Sequence, residues 1–414
     1  MGRSLSALCL ILGASPAFAA DFPKFEPQEI DPNVGKVCYA VTTTDVNGDG
    51  KPDIVAVTED AVIAYLNPSW TKLDLIRGKT KADNVCLQAH DIDGDGKIDF
   101  ALGAQWQPAN TNEGGTLQWL TRTGAESATN WKVIPIASEP TLHRMRWGDV
   151  RGDGTKQLVV APLQGRGTKG PDWGQGQGVR ILVYSIPKNP QTDPWPVEVA
   201  DDTLHTVHNL QIVDVDGDRR DDILLAAWEG IFFLKRDPSG KWLKTRIGTG
   251  NQDTKPFKGA SEIKLGRLGD GRRYIATIEP WHGFQVVVYT PPHVQGELWN
   301  RTVIDEPVSW GHGVWCANLD DDADDELIIG QRDPSSDATR TPRGPGVLVF
   351  DPKPGSGPLA FERRTIDDGG VAVEDLLATD LDGDGRPEII AGGRATHNVR
   401  IYWNRPEIAK KSSR

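Results

Sequence analysis

A nine-residue acidic loop, D-x-[DN]-G-D-G-x-x-[DE], recurs along the chain and limits what it can fold into more than any other feature. Clean copies stand at 45–53, 91–99 and 380–388, close variants at 214–222 and 318–326, and degenerate copies at 149–157 and 266–274. Their first positions are 46, 58, 65, 52, 52 and 62 residues apart. A period of this size means a repeat architecture, in which each unit buries apolar faces only by stacking on its neighbours. Every loop has the same surroundings. A β-rich segment precedes it, an apolar strand follows (IVAVT, DFALG, LVVAP, ILLAAW, YIATIE, LIIGQ, IIAGG), and a third and a fourth strand come after. Four strands in each of seven units predict an all-β, seven-bladed β-propeller. With 45 Gly and 29 Pro, the chain has the turn residues such a fold needs.

The seventh unit lacks a fourth strand, because the sequence ends soon after IYWNRPE. Residues 25–31, FEPQEID, resemble FERRTID at 361–367, the fourth strand of unit six. The N-terminal strand is therefore expected to complete the last blade and close the ring, which removes an exposed edge. The propeller is expected over 20–406, with a disordered tail over 407–414. Residues 1–19 combine an Arg, an apolar run and Ala17-Phe18-Ala19, the pattern of a cleaved signal peptide, so a periplasmic or secreted protein is expected. No later segment is apolar enough to span a membrane. A net charge of −12 argues against a nucleic-acid partner. Removal of that leader leaves Cys38, Cys86 and Cys316, an odd number and no disulfide framework.

Carboxylates at positions 1, 3, 5 and 9 of such a loop supply the hard oxygens that calcium prefers, and the glycines permit the tight turn. Five loops keep enough of them for structural calcium. The ligands would be Asp45, Asn47, Asp49 and Asp53; Asp91, Asp93, Asp95 and Asp99; Asp214, Asp216, Asp218 and Asp222; Asn318, Asp320, Asp322 and Glu326; and Asp380, Asp382, Asp384 and Glu388. The third loop loses two oxygens to Arg151 and Gln157, and the fifth has Gly266 at position 1.

Six residues before position 1 stand Tyr39, Val85, His143, His208, Ala260, His312 and Glu374. Three histidines and a glutamate in one structural column, out of eight histidines in all, exceed random scatter. The column lies on the innermost strand of each blade, roughly 20 Å from the acidic loop. Calcium-type loops and histidines therefore belong to opposite faces of the ring. His143, His208, His312 and Glu374 are the expected ligands of one divalent transition metal, zinc or manganese, at the channel axis. The top-face turns add Trp228, Glu229, Trp281, His282, Arg332 and Arg394, and the inter-blade connections add His205 and Trp310. Tryptophan faces beside polar groups suit a sugar ring. Trp228, Glu229, Trp281, Trp310 and Arg394 are the expected substrate contacts.

The loops and the strand after them resemble the FG-GAP/VCBS-type calcium-loop propellers, as in integrin α-subunit heads and many exported bacterial proteins. The HxxHN and WGHG segments are similar to the propeller domain of fungal aldos-2-ulose dehydratases, which eliminate water from keto-sugars. A histidine-bound metal on the axis of a seven-bladed propeller is also similar to the oligogalacturonate lyases. These resemblances imply a carbon–oxygen lyase acting by β-elimination or dehydration on a keto-sugar or oxidised glycoside. His205, His282 and Tyr39 are then candidate acids and bases, and Arg144 and Arg332 candidate oxyanion partners. The alternative is a non-catalytic propeller that binds a carbohydrate or a protein and holds only structural calcium.

Overall fold

A computed structural model describes residues 22–122, 130–320, 322–336, 339, 343–353 and 359–406. The expected leader and tail lie outside the described residues. Seven four-stranded antiparallel sheets form the seven blades. Blades 1 to 6 are each built from consecutive strands, starting at Cys38–Thr44, Cys86–His90, Leu142–Gly148, Asn209–Val213, Ile263–Arg267 and Gly311–Ala317. Blade 7 starts at Val373–Thr379, and its outermost strand is Lys24–Asp31, which pairs with Val399–Arg405 from Lys24 opposite Arg405 to Asp31 opposite Val399. The N-terminal strand thus closes the ring, as the FEPQEID match predicts. Among the described residues no helix is long and apolar enough to cross a membrane.

Burial follows strand position. The second strands, such as Asp53–Thr58 and Glu388–Gly393, are buried along their whole length. The outermost strands, such as Thr71–Arg77 and Ala360–Asp368, expose most of their residues. That gradient explains why the second strands read as continuous apolar runs, packed by blades on both faces. The seven starting strands touch one another in cyclic order and form the inner wall. In blades 1, 3, 6 and 7 the pairing of the first and second strands slips by one residue, between Cys38 and Ala40, Leu142 and Arg144, Gly311 and Gly313, and Val373 and Asp375. The extra residue in each case is Tyr39, His143, His312 or Glu374. A bulge re-aims the residue it adds, so four members of the sequence column owe their direction to this slip.

Blades are latched at the face that carries the acidic loops. Asn67 donates to the Leu381 carbonyl of the neighbouring blade at 2.7 Å, and Asn404 donates to Leu319 at 2.7 Å. Arg273, beside the degenerate fifth loop, donates to the Val215 carbonyl at 2.9 Å. At positions 4 and 6 of the first, second and seventh loops, glycines have φ between 77° and 87°, with nothing within 4 Å of a Cβ. Backbone conformation, not space, requires glycine there.

Candidate metal centre on the channel axis

The inner ends of two blades and a top-face turn of a third bring imidazoles from three blades together. His208 Nε2 lies 2.7 Å from His282 Nε2, and ring centroids of His208 and His312 are 5.1 Å apart. One nitrogen from each of His208, His282 and His312 falls within 4.8 Å of the others. His143 packs beside them, 4.7 Å from His208 between ring centroids. Main-chain partners set the ring orientations. His143 Nδ1 lies 3.0 Å from the His208 carbonyl, and His312 Nδ1 lies 2.5 Å from the Glu374 carbonyl. A carbonyl only accepts, so both Nδ1 atoms carry the proton and both Nε2 atoms keep the lone pair. Glu262 Oε1 stands 2.8 Å from His208 Nδ1, a close ion-pair contact that favours a proton on that nitrogen too. Asn209 donates to the other oxygen of Glu262.

Burial pushes the pKa of His143 and His282 well below the ordinary histidine range and that of His312 down to about 4. Burial would raise Glu262, but His208, then His312 and Arg144, pull it down to about 2. The result is a buried carboxylate behind an imidazole cluster in which burial favours the neutral form of His143, His282 and His312, while nitrogens of His208, His282 and His312 converge. Three such nitrogens suit zinc and its neighbours and leave coordination positions open. The residues present therefore fit a transition-metal ion.

The sequence-predicted residues divide as follows. His208 and His312 meet in the cluster, joined by His282, expected as an acid or base. His143 sits alongside, stacked on Trp106. Glu374 is drawn toward arginines: Arg394 Nη1 lies 2.7 Å and Arg332 Nη1 3.8 Å from its oxygens, while His312 Nε2 is 4.0 Å away. Tyr39 donates to Asp83 at 2.7 Å, under the Arg394 guanidinium. Arg144 is buried one residue below His143, donating to the His143 carbonyl at 3.2 Å. Trp310 is 37% exposed, with Arg332 stacked 4.1 Å from its ring centroid. Trp281 stacks on His282 at 4.1 Å and holds that ring in place. Trp228 is buried at 2% exposure. His205 is paired with Glu229 at 2.7 Å and its other nitrogen faces the Gly176 carbonyl at 3.4 Å, so no contact joins it to the cluster among the described residues. Glu262 and Asp83 were not singled out in the sequence. Glu262 stands four residues before its loop, so the fixed six-residue offset passes over it.

On the opposite face, carboxylates cluster in four loops: Asp91, Asp93 and Asp99; Asp214, Asp216 and Asp218; Asp320, Asp322 and Glu326; and Asp380, Asp382 and Glu388. Position 9 accepts the N–H of position 2 through one oxygen, as in Asp222 with Val215 at 2.9 Å and Glu388 with Leu381 at 2.8 Å. The second oxygen of Asp222, Glu326 and Glu388 is buried without a partner. Burial, reinforced by neighbouring carboxylates, pushes Asp222 and Glu388 up to about 7 and Glu326 to about 9. Crowded, desolvated carboxylates with free oxygens fit a hard divalent cation. In the fourth loop Lys235 Nζ already lies 2.7 Å from Asp216 and 2.5 Å from Asp218.

The family described as the aldos-2-ulose dehydratase β-propeller domain matches residues 114–292, and the FG-GAP-like repeat matches 45–102. The aldos-2-ulose dehydratase of Phanerodontia chrysosporium is 28% identical over 323 residues, covering 72% of this chain. The chain resembles the propeller of an aldos-2-ulose dehydratase. It spans 34% of the length of that dehydratase. The dehydratase-family match includes His143, His208, Glu262 and His282 and stops before His312, Arg332, Glu374 and Arg394. Two solved structures share the fold. One is an Agrocybe aegerita lectin that recognises non-reducing terminal N-acetylglucosamine (TM-score 0.51, 15% identity, 85% of this chain and 88% of that one). The other is BBS1N in complex with ARL6DN (TM-score 0.53, 11% identity, 95% of this chain and 99% of that one).

Proposed function

We propose that the chain is a metal-dependent carbon–oxygen lyase that dehydrates a keto-sugar or oxidised glycoside at the top of its channel. The convergence of His208, His282 and His312 carries this reading, because aromatic recognition of a sugar needs no inward-facing imidazole trio. The likeness to the dehydratase supplies the reaction class. A divalent ion such as zinc or manganese would supply Lewis acidity toward a carbonyl oxygen. The chain's own groups do the rest. His208, His282 and His312 hold the ion, and Glu262 keeps a negative charge behind His208. Arg332 and Arg394 face Glu374 and offer N–H donors to oxygen that gains negative charge. Loss of the proton α to the carbonyl and departure of the β-hydroxyl with a second proton give an unsaturated ketone and water. Tyr39, held by Asp83, and His143 are the groups at hand for those proton transfers. Trp310 offers the exposed aromatic surface. Structural calcium in the acidic loops, and export directed by residues 1–19, belong to the same reading.

The test is elemental mass spectrometry on the purified protein together with ultraviolet detection of an enone from aldos-2-uloses. We expect about one equivalent of transition metal, lost in His208→Ala and His312→Ala while calcium stays, and turnover lost with it. Calcium alone in the parent protein, or full turnover in both variants, overturns the lyase and leaves a carbohydrate-binding propeller.

A further inference from the structure

Below the histidine cluster the channel wall carries three cationic side chains. Arg144 and Arg146 lie two residues apart on Leu142–Gly148, so they share one face of that strand. Lys264 comes from the inner strand Ile263–Arg267 of blade 5. Arg144 is 4% and Lys264 5% exposed. Arg146 keeps more accessible surface although protein encloses it, as a side chain on the wall of an internal channel does. Their partners are few. Arg144 donates to the His143 carbonyl at 3.2 Å, Arg146 donates to the Met145 carbonyl at 2.8 Å, and the Lys264 ammonium lies 4.6 Å from the centre of the Trp315 ring. Among the described residues none of the three has a carboxylate oxygen within 4.0 Å.

The carboxylates nearby make their direct contacts elsewhere. Glu262 faces His208 and Asn209, and Glu374 faces Arg394. Asp375 accepts the N–H groups of Val41 and Leu376, both at 3.1 Å, and burial raises its pKa against the pull of Arg144 and Arg146. Burial, and then Arg146, bring Lys264 down to about 7 against the pull of Glu262 and Asp375. Asp375 and Glu262 act on these cations only from beyond 4.0 Å, whereas buried cations are ordinarily paired in direct contact.

We propose that the channel binds one small anion, a halide or a carboxylate, against Arg146 and Lys264, with Arg144 on the side of the histidines. The site is separate from the metal centre and does not depend on its being loaded. A halide neutralises the cluster as a structural ion. A sugar carboxylate places the acidic end of a substrate beneath the imidazoles.

The test uses the whole protein. Crystals soaked in sodium bromide are examined by anomalous diffraction, and thermal stability is followed in a sodium chloride titration at constant ionic strength. We expect one ordered bromide at the cluster and a saturable rise in Tm, both lost in Arg146→Gln. Lys264→Gln, which removes a buried charge and keeps the length, provides the second variant should the first fail to fold. Glucuronate added to the bromide soak separates the two sources: displaced bromide assigns the site to a carboxylate-bearing sugar, retained bromide to an inorganic ion. No bromide at the cluster, a bromide peak without a saturable response in solution, or a chloride response unchanged in Lys264→Gln overturns the proposal.

Discussion

Each imidazole at the axis is oriented by something other than itself. Backbone carbonyls of the next blade hold His143 and His312, and a carboxylate holds His208. His282 sits at φ 49°, a left-handed backbone uncommon outside glycine, with Trp281 against its ring. Strain of this kind persists where surrounding structure over-determines it. Glu262 is then a positioning residue. Glu262→Gln should weaken retention of the proposed transition metal by about 10- to 100-fold, with the fold unchanged. Competition against a graded series of chelators measures it, and unaltered retention would show that Glu262 only fills space. The sequence column shows His143, His208, His312 and Glu374 because a six-residue offset follows the strand from a recognisable loop. It misses His282 as a member of the cluster because that residue arrives on a top-face turn, whose path depends on tertiary packing.

Among the elements, the fourth acidic loop departs from the others. Its position 6 is Arg219 at φ 69°, where the clean loops have glycine, and Lys235 spans its carboxylates. A non-glycine residue in the left-handed region costs about 1–2 kcal/mol, part of which glycine returns through the greater freedom of the unfolded chain. Arg219→Gly should therefore raise stability by about 0.5–1 kcal/mol, visible as a higher Tm. A decrease would mean that the arginine side chain makes a stabilising contact larger than the strain. The loop positions could be read directly, since acidic spacing and glycine are local. The slip that turns Tyr39, His143, His312 and Glu374 toward the axis could not, because a bulge depends on the register between two strands.

The whole ring is held by one non-local pairing. Asp31, at the end of the closing strand, accepts hydrogen bonds from Tyr65 at 2.5 Å and Lys72 at 2.7 Å, which ties blade 7 to blade 1. Burial would raise the Asp31 pKa, but Lys72 and Tyr65 outweigh it and hold the carboxyl below its usual range. The folded protein then binds this proton less tightly than the unfolded chain. The stabilisation is full above about pH 4 and is lost as the pH falls through the folded value. Asp31→Asn should cost about 2 kcal/mol at neutral pH, and the gap to the parent protein should close on acidification. Denaturant unfolding of both proteins between about pH 3 and pH 7 checks this, and a gap independent of pH would refute it. Blade number and ring closure were legible because seven loops and the FEPQEID match are each visible in the chain.

The closing pair also has a consequence for how the protein is made. Lys24 pairs with Arg405, so the ribosome releases one partner 381 residues before the other. Six blades can assemble from contiguous sequence while the first strand waits, and the seventh is completed only once Val399–Arg405 has been made. A circular permutant opened in the connection after Asp368, with Arg405 linked to Lys24 by a short loop, would make all seven blades contiguous and convert the longest-range pairing in the ring into a local one.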